Sequence, residues 1–88
     1  MGFFGIQAKS QITSNTVVGI TQAGQTKVDD LEVTGQEGDI LTTVAEHSGV
    51  MKIADISSTL HFPLQFIKRT VKTYIHCGYL KVMSQSGN

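Results

Sequence analysis

Between Pro63 and Gly78 the chain reads as one helix and as little else. Proline is favoured at the first helical position, where its missing amide would have no partner; glycine is favoured just past the end, where φ turns positive. On a wheel of about 100° per residue, Leu64, Ile67, Val71, Tyr74 and Ile75 share one arc, which is the expected core face. Gln65, Lys68, Arg69, Lys72 and His76 fall opposite, at i, i+3, i+4, i+7 and i+11. Every Lys and Arg of the segment lies on that stripe, and no carboxylate accompanies them. A solvated helix face usually mixes signs, because opposite charges at i,i+4 stabilise it. A one-sign face interleaved with Gln and His suits a phosphate backbone and base edges: Lys and Arg neutralise phosphates, and Arg and Gln can bind purine edges bidentately. Such a helix, at ~1.5 Å rise per residue, is roughly 20 Å long and fits a major groove. A stripe that serves only solubility, or that docks on an acidic protein, is the competing reading.

Total charge at first argues against a polyanionic partner. The 88 residues carry seven basic and seven acidic side chains. That zero is a cancellation. Residues 1–50 hold two Lys against six carboxylates, a balance of −4; residues 51–88 hold five cations against Asp55, a balance of +4. Asymmetry between halves favours an electrostatic partner at the basic end.

The rest of the chain reads as one domain over residues 1–83 with a frayed, disordered tail at 84–88. Hydrophobic residues make up 40%, enough for a small core and too many for a solvated tail. Residues 6–13 and 16–21 are rich in β-branched side chains and flank Ser14-Asn15, which predicts an N-terminal hairpin over 6–21. Residues 22–33 read as a short helix starting near Thr21 or Gly24, with an extended reading of Lys27 to Val33 left open. Thr34-Gly35-Gln36-Glu37 fits a capping box, with Thr34 and Glu37 bonding each other's amides, and predicts a helix over 35–47 that Ser48-Gly49 stops. A second helix is expected from Lys52 to Leu60 on the spacing of Ile53, Ile56 and Leu60. After a His61-Phe62 turn comes the Pro63 helix, and Tyr79–Met83 reads as a strand.

The turn from Leu60 to Pro63 has the length of a helix-turn-helix connection, and Ala54 is small where a paired helix must approach. Residues 36–83 resemble the winged helix-turn-helix domains of archaeal and bacterial transcription regulators. The resemblance rests on Ile40-Leu41 and Val44-Ala45, on Ile53-Ala54-Asp55-Ile56-Ser57, and on Ile67 to Ile75 leading into Gly78-Tyr79-Leu80-Lys81-Val82. It implies an α+β fold, a winged helix-turn-helix with a three-helix core over 35–77 and a small antiparallel sheet partly supplied by the N-terminal segment. Helix 63–77 would be the recognition helix and 79–83 the strand that enters the wing. Only ten residues follow Gly78, so 79–83 is expected to pair with 16–21, leaving 6–13 as the other strand of a displaced wing.

The resulting expectation is a small dimeric transcription regulator that binds double-stranded DNA sequence-specifically. Gln65, Lys68, Arg69, Lys72 and His76 would lie in the major groove, and Lys52 and Lys81 on flanking phosphates. Asp55, Ser57, Ser58, Thr59 and Thr70 would add contacts to the backbone. Four cations on or beside one helix make a small patch, so two copies on adjacent half-sites are expected. Phe3, Phe4 and Ile6, or Phe62 and Phe66, are the candidate dimer surfaces; covering the small core is the competing role for each. The alternatives are a winged-helix protein-interaction module and a non-specific architectural DNA binder.

Other chemistry finds no support in the sequence. His47, His61, His76 and Cys77 are too scattered for a metal site, and no cofactor or small-molecule ligand is indicated. Cys77 is expected to be a buried structural thiol, His47 a helix-end group and His61 a turn residue. The glycines form no phosphate loop and no catalytic constellation can be assembled, so the expectation is that the chain is not an enzyme. A lone cysteine, no apolar run near ~18 residues and no signal-peptide pattern lead to an expected cytoplasmic location without membrane attachment.

Overall fold

The middle strand of the sheet is the first one in the sequence. The computed structural model describes residues 12–85. Strand β1 (Thr16–Ile20) pairs antiparallel with β2 (Val50–Lys52) on one side and with β3 (Leu80–Gln85) on the other, giving the order β2-β1-β3. Its β-branched residues favour extended backbone. Alternation buries Thr16 and Val18 toward the helices. Val18 stands opposite Met51 on β2 and Val82 on β3. One step along, Val17 faces Ser84, so Met83 is the bulged residue of β3.

The helices are α1 (Gln22–Asp29), α2 (Gly35–Glu46), α3 (Ile53–Leu60) and α4 (Leu64–Cys77). Together they make an α+β domain of four helices and a three-stranded antiparallel sheet. Its core is one cluster: Val18, Met51 and Leu80 from the sheet meet Ile40, Leu41 and Val44 of α2, Ile53 and Ile56 of α3, and Ile67 and Val71 of α4. Burying each such side chain contributes roughly 1.5–3 kcal/mol. Among the described residues, no helix is long and apolar enough to cross a membrane.

Several expectations change. Both sides of β1 are occupied at Val17–Gly19, so a hairpin of 6–13 with 16–21 has no place there. Thr13–Thr16 forms the expected turn, closed by the Thr16 amide on the Thr13 carbonyl at 3.1 Å, but Ile12 and Thr13 are not strand; 6–11 lie outside the described residues. The Ser14 carbonyl instead accepts from the Ala54 amide at 3.0 Å, satisfying a free donor in the first turn of α3. Pairing of the last strand with 16–20 is as expected, and it reaches further: Ser84 and Gln85 belong to β3 rather than to a frayed tail.

α2 starts at Thr34, yet the capping box is not made. Gly35 has φ +76°, and the Thr34 carbonyl, not its hydroxyl, accepts from the Gly38 amide at 3.2 Å. Thr21 does cap α1, accepting from the Gly24 amide at 3.1 Å and donating to the Gly78 carbonyl. That residue therefore ties the start of α1 to the end of α4. Leu64, in the first turn of α4, lies exposed rather than in the core, and Thr70 is buried on the flank of the Ile67–Val71 face.

Candidate nucleic-acid interface

α4 is fixed from both ends and from behind. Pro63 caps its start with φ −61°, and Gly78 ends it in the left-handed region at φ +86°. The turn from α3 is locked twice. His61 takes the left-handed conformation and its amide donates to the Ser57 carbonyl at 2.7 Å; the Ser57 hydroxyl donates to the Phe62 carbonyl at 2.7 Å. Phe62 and Phe66 stack edge to face, with ring centroids 5.6 Å apart. Behind the helix, the Tyr74 hydroxyl donates to the Glu37 carbonyl at 2.8 Å, joining α4 to α2. Burial first, and then the Glu37 carboxylate, push the Tyr74 phenol up to about 12.

This rigid mounting turns the polar stripe outward. Gln65, Arg69, Lys72 and His76 are exposed and Lys68 is half-buried. Among the described residues the only ion pair joins Lys27 to Glu32, at 2.7 Å, so no carboxylate neutralises Lys68, Arg69 or Lys72. Gln65, Lys68, Arg69 and Lys72 line one shallow groove, and Ile12 forms its remaining wall. Ile12 is the residue the sequence reading missed. No periodicity marks it, because it stands alone ahead of the Thr13–Thr16 turn.

The remaining candidates lie elsewhere. Lys52 stands opposite Val17 and Lys81 opposite Gly19, which puts both on the face of the sheet turned away from the core. Neither joins the α4 groove. Lys52 shares a hollow with Glu46, Asp55, Ser58 and Thr59 at the start of α3, so two carboxylates stand beside it. Two of the expected backbone-contacting hydroxyls are withdrawn: Thr70 is buried, and Ser57 is committed to the α3–α4 turn. Phe62 and Phe66 are partly buried against the core, while Phe3, Phe4 and Ile6 lie outside the described residues.

The cysteine is the other correction. Cys77 is exposed, because at about 100° per residue it falls on the side of α4 away from Ile67 and Val71, while Tyr74 and Ile75 of the same turn pack against the core. His47 sits at the end of α2 with Nδ1 2.9 Å from the Thr43 carbonyl, and His61 makes the turn. Among the described residues no cluster of three His, Cys, Asp or Glu side chains could hold a metal ion. Family models, curated proteins and solved structures were each compared with the chain, and none matches.

Proposed function

We propose that this protein binds double-stranded DNA by placing α4 in the major groove, and that its fold is a winged helix-turn-helix. One observation carries the reading: Lys68, Arg69 and Lys72, with Gln65 before them and His76 beyond, form a one-sign stripe on α4 that no described carboxylate neutralises. The element order α2, β2, α3, α4, β3 is the one a winged helix would have, which supports this reading. β1 takes the sheet position that a strand after β3 would fill. Arg69 and Gln65 would read base edges, and Lys68 and Lys72 would hold phosphates. Three cations supply little affinity at physiological salt, so two copies on adjacent half-sites, about 34 Å apart, complete a useful complex. Such a complex is a transcription regulator acting where DNA is, in the cytoplasm, without a catalytic step or cofactor.

Selection from random duplexes, followed by fluorescence anisotropy over a salt series, tests this. Selected sequences are expected to bind more tightly than random ones, with affinity falling steeply as salt rises. Lys68→Ala with Lys72→Ala should lower the slope of log affinity against log salt by about two per copy, hence about four for the two-copy complex. Arg69→Ala should cost about 1–3 kcal/mol per copy and relax discrimination at one base position in each half-site. Equal affinity for every duplex would indicate architectural binding. Absence of binding at low salt would leave the stripe to an acidic protein.

A further inference from the structure

We infer that the outer face of the sheet is the surface on which two copies of this chain associate. This extends the two-copy part of the reading above to a named surface, and it rests on observations away from α4. The face turned from the core carries Val50, 43% exposed, and Met83, 50% exposed, beside half-buried Val17. Gly19 leaves the middle of this face without a side chain, and Met83 lies over the gap: a Cβ on Gly19 would meet the Met83 Cγ and Sδ at 2.9 Å. Alternation from Lys81 puts Met83 on this face, and the bulge brings Ser84, opposite Val17, onto it as well.

The charges around this strip identify its occupant. Lys81 lies beside Met83 and Val50 on one flank; Glu46 and Asp55 lie with Lys52 beyond Val50 on the other. Val50 belongs to both hollows, so the surface is continuous. DNA would bring phosphates against Glu46 and Asp55. A partner of one sign would leave half of the charged rim opposed by its own kind. A two-fold axis near Val50 solves both problems, because a self-complementary patch is what an isologous dimer requires. It sets Val50 and Met83 of each copy against those of the other and brings Lys81 of one copy to Glu46 of its partner. Pairing is face to face rather than strand to strand, since the bulge blunts the β3 edge and β2, at the other edge, is only 3 residues long.

Sedimentation velocity without DNA tests this on the full chain, over a concentration series reaching ~1 mM. The wild type should show a monomer–dimer equilibrium. Val50→Glu with Met83→Glu should abolish the dimer while circular dichroism stays unchanged. Lys81→Glu, a change at an exposed surface position, should weaken association by about tenfold, and adding Glu46→Lys should restore it. Wild-type protein that stays monomeric throughout overturns the inference and makes residues 1–11 the leading occupant of the face. So does a dimer untouched by both Lys81→Glu and the Val50/Met83 pair. Because no DNA is present, a failure here is distinct from a failure of α4 to bind duplexes.

Discussion

At the scale of single residues, two positions off the basic stripe bear on how α4 and the residues that follow it are seated. Gly24 is one: a methyl group there would collide with the Tyr79 carbonyl, the backbone on which α1 rests. Gly24→Ala should destabilise the fold by about 1–3 kcal/mol, read as a lower urea midpoint. Tyr74 is the other. Its phenol is pushed from 10.0 to about 12, so the folded protein keeps that proton to higher pH than the unfolded chain does. The associated stability is whole below pH 10 and drains away as pH rises to about 12. Tyr74→Phe removes the bond to Glu37, which should cost about 1 kcal/mol at neutral pH, and should flatten the decline between pH 10 and about 12; urea midpoints across that range check both. Neither role is written locally in the sequence. Gly24 sits in a helix where glycine is a poor choice, and only the Tyr79 backbone, arriving 55 positions later just ahead of β3, explains it. Tyr74 was legible as a core residue from its place on the wheel; its hydroxyl partner, a backbone carbonyl 37 positions away, was not.

Elements show the same division between local and distant causes. α3 and α4 were legible because their signals are local: Ile53, Ile56 and Leu60 for one, Pro63, the wheel and Gly78 for the other. β2 was not, since Val50-Met51-Lys52 is too short to display alternation and exists as a strand only against Val17–Gly19. The capping box at Thr34 had the right letters, but the left-handed backbone of Gly35 leads into α2 differently. Within the site, the α4 stripe was readable as a stripe. That Lys52 and Lys81 lie on the far side of the sheet depended on register, which the sequence does not print. The turn between α3 and α4 carries a prediction of its own. Ser57→Ala frees the Phe62 carbonyl and should cost about 1 kcal/mol in stability. Duplex affinity should fall as well, although the hydroxyl itself faces the turn; anisotropy at fixed salt beside a urea titration separates the two effects.

Over the whole molecule, one small core depends on strands drawn from three separate parts of the chain. Leu80 closes that core, and β3 covers one side of β1 along its full length. A chain ending at Tyr79 should therefore lose its cooperative thermal transition altogether rather than melt a few degrees lower; circular dichroism against temperature distinguishes these outcomes. Placing the first strand at the centre of the sheet has a consequence for synthesis. While a ribosome is making the protein, Thr16–Ile20 emerges early and waits, first for Val50–Lys52 and then for Leu80–Gln85. Until the last of these clears the exit tunnel, Val18 has no complete sheet to belong to, and the nascent chain displays an unpaired, β-branched strand to its surroundings. The molecule therefore assembles only after translation has passed its final strand, and the stretch most in need of a chaperone in the meantime is the one that ends up deepest in the sheet.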